Sequence, residues 1–390
     1  MYPKKDELSD NMVAIQRGRY KSLKIKHCSK VFCGQTTQML VLFALLFAGK
    51  AMAVNVDGLY KVEIPVESQR NEEREAAIQK AMELMLIRVT GNSQVMLLPE
   101  IPNLLAETRK YIRQFRYARA SESGIPAFGA NASDQVLRVV FDEKSVKEAL
   151  WKAGLPVWSN ARPATLVWIA IQDTDRRYLL DANEGREIVA VIDTQAKNRG
   201  IPLLYPLLDL EDQVNIKVSD VWGGFSENIV RASGRYPAEE IFYGRIFLDP
   251  FGNWQARWTL VHGEQTKTWE STGVDMSQVL EEGVWGLADN IAARYTSSSV
   301  AGADQGVLRM RVGQVKNIRD LVRATRYLES LAQISRMQLS RVEADQVTYQ
   351  IELRSDQQAL SRAISLGQVL AEDGGAISGE GTSLAYRLMQ

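Results

Sequence analysis

Thr165-Leu-Val-Trp-Ile-Ala-Ile171 is the stretch on which the reading of the fold turns. Six of its seven residues are apolar, so no alternation marks a wet side. Such a run is expected to be a strand covered on both faces, as in an α/β sheet. The pattern around it agrees. Residues 183–199 have helical periodicity and stop at Gly200, where glycine is the preferred residue past a helix end. Ile201-Pro-Leu-Leu-Tyr-Pro-Leu-Leu208 reads as a returning strand. Three short strands follow at 241–247, 254–261 and 265–269, with Asp249-Pro-Phe-Gly-Asn253 supplying turn chemistry between the first two. A helix over 276–294 closes the unit. The expectation for residues 161–296 is an α/β domain with a mixed sheet.

Residues 54–160 read differently. Leu59-Tyr-Lys-Val-Glu-Ile-Pro-Val66 alternates as a strand. Helices are expected over 70–89 and 104–115, then a strand over 135–141 and a helix over 143–153. In the first of these, Ile78, Ala81, Met82, Met85, Leu86 and Val89 fall on one face. This order implies an α+β domain. Residues 297–306 are small, polar and without period, and are read as a linker. Residues 307–390 show the order β-α-β-β-α-β, the ferredoxin-like split pattern. The fold class is therefore α/β and α+β, in three consecutive small domains.

Ahead of these lies Met39-Leu-Val-Leu-Phe-Ala-Leu-Leu-Phe-Ala-Gly49, preceded by Lys21, Lys24, Lys26 and Lys30 and followed by Ala51-Met-Ala53. A basic lead, a short apolar core and small residues at Ala51 and Ala53 make up a secretory signal, with cleavage expected after Ala53. The run is shorter than the ~20 apolar residues of a comfortable span. The expected location is the periplasm, with an uncleaved inner-membrane anchor as the alternative. Cys28 and Cys33 both precede the apolar core, and Val54 follows the small residues, so a lipoprotein is not expected. Past residue 53 the chain has no cysteine, which removes disulfides, thiolate metal sites and thiol nucleophiles.

The chain carries 47 basic and 47 acidic residues; residues 1–53 hold nine and three of them, leaving 38 basic and 44 acidic. An acidic exported chain gives no electrostatic case for nucleic acid.

Gly58-Leu-Tyr-Lys-Val-Glu-Ile-Pro-Val66, Leu86-Ile-Arg-Val-Thr-Gly91, Asp220-Val-Trp-Gly-Gly-Phe225 and the 317–331 stretch together resemble an exported proteobacterial family of unknown function, the domain of unknown function numbered 2066. These are packing and turn motifs. The resemblance implies export and no particular activity.

Catalytic signatures are few. His262 stands alone after His27, which cannot build a histidine metal site, so no metal and no cofactor is expected. Asp173 and Asp175 follow the buried strand, where α/β sheets often place sites, though aspartates also cap turns. All eight tryptophans lie between Trp151 and Trp285. Trp254 and Trp258 share one strand face, which reads either as an aromatic platform or as core. Trp222-Gly-Gly-Phe225 reads as a bend that presents both rings. Arg319, Arg323 and Arg326 form a basic helical stripe, a solvated face or a peripheral contact with anionic lipid. The function expected from this is binding of another envelope protein or of peptidoglycan, without catalysis. The alternative is a periplasmic hydrolase with a carboxylate pair in the middle domain.

Overall fold

The computed structural model describes residues 53–119, 135–173, 176–296, 307–354, 356–373 and 383–389. The segment ahead of Ala53 that is expected to be a signal and the 297–306 stretch that is expected to be a linker lie outside these residues, as does Asp175. The described residues belong to one compact unit. It is built on three main sheets, and no described helix is long and apolar enough to cross a membrane.

The first sheet has three antiparallel strands in the order β2-β4-β3: β2 Lys61–Val66, β3 Ile112–Arg119 and β4 Gln135–Phe141. Helix α1, Asn71–Thr90, lays Ile78, Ala81, Met82, Met85, Leu86 and Val89 on its core, each at most 3% exposed. Gly91 ends it at φ 73°, as a left-handed cap requires. The helix expected over 104–115 is corrected. Short helices span Ile101–Ala106 (α2) and Thr108–Tyr111 (α3), and the chain then extends into β3. Ile112-Arg-Gln-Phe-Arg-Tyr-Ala-Arg119 fits a two-residue period, and pairing with β4 decides it. Helix α4, Glu143–Lys152, is capped by Asp142, whose side chain accepts from Ser145 N.

The second sheet is mixed. Its path is β11-β10-β9-β6-β7, with β8 also on β6: β6 Thr165–Gln172, β7 Arg177–Leu179, β8 Leu203–Leu204, β9 Glu240–Leu248, β10 Trp254–His262 and β11 Gln265–Gly273. As expected, β6 is buried on both faces, with Thr165 through Ile171 all inside. Helices α5, Arg186–Arg199, and α9, Met276–Tyr295, cover one face. Three short helices pack on the other: α6 Leu210–Asn215, α7 Val218–Gly223 and α8 Ser226–Ser233. The strand expected over 201–208 shrinks to β8. Pro202 and Pro206 have no N–H to offer a ladder, and Leu208 turns the chain at φ 50°. A small ladder outside this sheet pairs β1, Ala53–Asn55, with β5, Ala161–Pro163.

The third sheet keeps the βαββαβ order: β12 Leu308–Gly313, α10 Ile318–Ser330, β13 Ile334–Glu343, β14 Gln346–Leu353, α11 Gln357–Leu366 and β16 Ser383–Leu388. An added strand, β15 Leu370–Glu372, forms an antiparallel pair with β16, so β16 returns parallel to β12. Both helices lie on one face, over Met310, Val312, Tyr349 and Ile351.

Three buried arginines join the first two sheets. Arg88, Arg162 and Arg199 are 5%, 0% and 0% exposed. They meet where α1 and α5 end and donate to carbonyls there. Arg88 reaches Asn198 O (3.0 Å) and Lys61 O (2.9 Å). Arg162 reaches Arg88 O (3.0 Å) and stacks 3.5 Å over Trp158. Arg199 reaches Gly91 O (2.9 Å). Cations suit the negative ends of helix dipoles. Burial still pulls the Arg88 guanidinium down to about 10.

Candidate functional site

The bend at Trp222-Gly-Gly-Phe225 borders a groove of about 350 Å³ on the middle sheet. Its construction follows from register. Tyr243, Arg245 and Phe247 on β9 lie opposite Thr259, Arg257 and Gln255 on β10, and Thr259 lies opposite Thr268 on β11. Helices α7 and α8 cover this face over β6 and as far as Val261 at the end of β10, while Arg257 farther back on β10 stays exposed. Tyr243 is held at the inner wall by a 2.7 Å contact between its hydroxyl and Ser226 Oγ.

The bend is a helix-to-helix junction. Gly224 caps α7 at φ 70°, and Phe225 precedes α8. A Cβ on Gly223 would sit 2.8 Å from the Phe225 ring, so only glycine lets that ring fold back over the helix end. Phe225 is 57% exposed, whereas Trp222 is half-buried, tilted against Phe247 with centroids 6.0 Å apart. The Arg177 guanidinium lies 4.2 Å from the Trp222 ring centroid and that of Arg245 5.9 Å.

The electrostatics are cationic. Arg245 faces Arg257 directly across the ladder, a pairing of like charges that destabilises a sheet. Arg257 has one carboxylate, Glu270 at 3.4 Å. Arg245 donates to Trp222 O at 3.1 Å, and its buried Nε has no hydrogen-bond partner among the described residues. The hydroxyls of Thr259, Thr266 and Thr268 line the same groove and can donate or accept beside the guanidinium donors.

Trp254 and Trp258 do share a face, but it is the covered one. Trp258 is 1% exposed, stacks on Phe242 with centroids 5.2 Å apart and donates from Nε1 to Ser271 Oγ at 2.8 Å. Trp254 packs half-buried against the same core. The two therefore form no surface platform, because α9 covers that side of β10. Arg319, Arg323 and Arg326 are exposed on α10, and Arg323 donates to Met389 O at 2.8 Å.

Sequence reasoning missed two clusters. Glu240 is wholly buried, with His262 Nδ1 3.0 Å from one oxygen and Arg294 Nη2 3.2 Å from the other. Glu239 beside it is pushed up to about 7, first by burial and then by the Glu240 charge. His262 does end a strand, but half-buried against this carboxylate. Partners 22 and 54 residues away in sequence leave no local signal. The second is a cleft of about 610 Å³ between the first sheet and α5, where Arg138 holds the Glu63 carboxylate at 2.6 Å and Lys61 and Lys197 stand at 3.7 and 3.8 Å. Among the described residues no group of three or more His, Cys, Asp or Glu side chains is placed to hold a metal ion.

Residues 53–159 match the family model of a domain of unknown function (DUF8605). No curated protein matches the sequence. Among solved structures, the chain is similar to the LpoB C-terminal domain from Salmonella enterica, at 16% identity over 28% of this chain and 80% of that one, with a TM-score of 0.20. It is also similar to an uncharacterized protein, at 13% identity over 34% and 90% (TM-score 0.17), and to the PelC dodecamer from Paraburkholderia phytofirmans, at 10% identity over 34% and 82% (TM-score 0.14). Scores this low do not bear on what the chain does. What the comparisons add is that residues 53–159, the first sheet and its helices, match a domain family without assigned function.

Proposed function

We propose that the chain is a non-catalytic binding protein of the cell envelope, exported with cleavage after Ala53 and belonging as a whole to the exported proteobacterial family numbered 2066. Its groove beside Trp222 and Phe225 holds an acidic surface of another envelope protein, with peptidoglycan carboxylates as the second candidate. The observation that carries this reading is the groove itself. Arg177 and Arg245 lie against the half-buried Trp222 ring, and Arg257 faces Arg245 across the ladder; among the described residues the one ion pair of these three arginines is that of Arg257 with Glu270, and the exposed Phe225 stands beside them. Aromatic and arginine side chains are the groups that anchor interfaces.

The hydrolase reading needs two carboxylates facing a substrate across a gap. Glu239 and Glu240 are adjacent in sequence, and each oxygen of the buried Glu240 has a basic side chain at ion-pair distance, His262 at 3.0 Å and Arg294 at 3.2 Å. That arrangement supports a structural role.

The test places a photo-crosslinking benzoylphenylalanine at position 225 in cells that export the chain. A discrete adduct is expected, absent when Arg245→Glu is added and absent from a control probe at the buried Ile229. Amino-terminal sequencing should begin at Val54. A cytosolic product that retains Met1, or probes at 225 and 229 that behave alike, would overturn the proposal.

A further inference from the structure

The third sheet has one covered face and one open face, and the open face is built from arginine. Along β12, Leu308, Met310 and Val312 are buried under α10 and α11, so Arg309 and Arg311 stand on the opposite side. Register carries that side across the sheet. Arg311 lies beside Thr348, and Thr348 beside Arg341; Arg309 lies beside Gln350, and Gln350 beside Gln338. Arg336 lies beside Glu352, and on β16 Arg387 alternates with the buried Tyr386 and Leu388.

Two of these five arginines have carboxylates near them, Arg336 with Glu352 at 3.9 Å and Arg341 with Glu343 at 3.4 Å. Arg309, Arg311 and Arg387 make no ion pair among the described residues. Arg309 and Arg387 are exposed and Arg311 is partly so. The charge is gathered here and is not a general excess. Residues 307–390 hold 11 basic and 9 acidic residues in a chain that is net acidic after residue 53.

The arrangement of the cations identifies the partner. They lie on three strands, β13, β12 and β16, which with β14 between them span about 14 Å at the usual strand spacing. They line no single groove, as a threaded polymer would require. The cations named on this face are all arginines, which stay charged at any physiological pH. The side chains between them are Thr348, Gln338, Gln350 and Ala385, with no large apolar group to insert. A two-dimensional field of phosphates, met by charge alone, satisfies all of this.

We propose that this face lays the third unit on an anionic phospholipid bilayer, with Arg309, Arg311 and Arg387 on lipid phosphates. The α10 stripe of Arg319, Arg323 and Arg326 belongs to the opposite side of the domain and points away from the membrane. The inference does not depend on the groove beside Trp222.

The test uses chain lacking residues 1–49, so that the apolar segment cannot itself partition. Co-sedimentation is measured with phosphatidylcholine vesicles, with and without phosphatidylglycerol. Binding should require the anionic lipid and fall steeply with salt. Each arginine near such a surface is worth roughly fivefold, so Arg309→Ala with Arg311→Ala and Arg387→Ala should lower the partition coefficient roughly 100-fold. The three Arg→Lys changes keep the charge and should stay within about threefold, which separates charge from folding. The triple Arg319→Ala, Arg323→Ala, Arg326→Ala should also stay within about threefold. Three results would each overturn the proposal: no dependence on phosphatidylglycerol, an equal loss in the α10 triple, or soluble polyphosphate displacing the chain from vesicles at matched phosphate concentration.

Discussion

Placing a methyl group on Gly283 should destabilise the middle domain, and the same methyl should stabilise it once Trp258 is gone. Gly283 lies within α9, where alanine normally gains about 1 kcal/mol over glycine. Here a Cβ would stand 2.4 Å from Trp258 Cε2, 2.6 Å from Cζ2 and 2.8 Å from Nε1. On the other side of the indole, a Cβ on Gly244 would stand 2.4 Å from Cε3. The ring therefore fills a slot between two glycines, and it cannot retreat without leaving Ser271 Oγ. Overpacking of this kind costs about 1–3 kcal/mol, and loss of the Nε1 hydrogen bond adds about 1 kcal/mol. Gly283→Ala is thus expected to be unfavourable by about 1–3 kcal/mol net of its helix gain. Trp258→Ala alone should cost about 3–5 kcal/mol. In that background the obstacle is absent, so Gly283→Ala recovers about 1 kcal/mol of helix propensity and part of the cavity. The double-mutant cycle should show a coupling of about 2 kcal/mol or more, in the upper range for residues in contact. Urea unfolding of the four proteins, followed by far-ultraviolet circular dichroism, measures it. If Gly283→Ala stabilises the chain with Trp258 present, or if the two effects add to within about 0.5 kcal/mol, Trp258 is not the packed centre described here.

Asp289 accepts from Ser93 N at 2.9 Å and from Arg199 Nη2 at 2.5 Å, and Arg199 is wholly buried. Asp289→Ala strands that guanidinium and should cost about 3 kcal/mol, the lower end for a broken buried pair because Asp289 is itself partly wet. Asp289→Asn keeps an acceptor and should lose less; a loss below about 1 kcal/mol for the alanine variant would mean that the carbonyls alone satisfy Arg199. Stability should also fall as pH rises through neutrality. Burial lifts the Glu239 carboxyl to about 7, and the Glu240 carboxylate lifts His262 above its usual value. Both groups hold a proton more tightly folded than unfolded. Their contribution is therefore complete below their unfolded values and lost as pH climbs through the folded ones. The thermal midpoint should be higher near pH 5 than near pH 8, and the slope should flatten in Glu239→Gln; an unchanged slope would exclude Glu239 as its source.

Local pattern made much of the fold legible. The 165–171 run announced a covered strand because every side chain in it obeys one rule, and the α1 face was readable because burial follows its 3.6-residue period. The failures share a cause. Ile112–Arg119 could extend as well as coil, and only the neighbouring β4 decides which. Trp254 and Trp258 could be placed on one strand face from parity, but parity does not say which face α9 covers. The groove was half legible. Gly223 and Gly224 marked the bend, whereas Arg245 and Arg257 became neighbours only through the β9–β10 register.

The arginine junction shows why some of the most informative residues leave no local trace. Arg88, Arg162 and Arg199 lie 74 and 37 residues apart in sequence, and each sits in a context that reads as ordinary: the last turn of a helix, a short strand, the last residue of another helix. Arginine at a helix end is expected to face water and help the dipole from outside. Here two helix ends face one another, and water has been replaced by their own carbonyls, by the Trp158 ring and by Asp289. The cost of burying three cations is offset only when all of these partners are present. Junctions of this kind make the first and middle sheets one body. A substitution at any of the three arginines should therefore be felt on both sides of a boundary that composition places near residue 160.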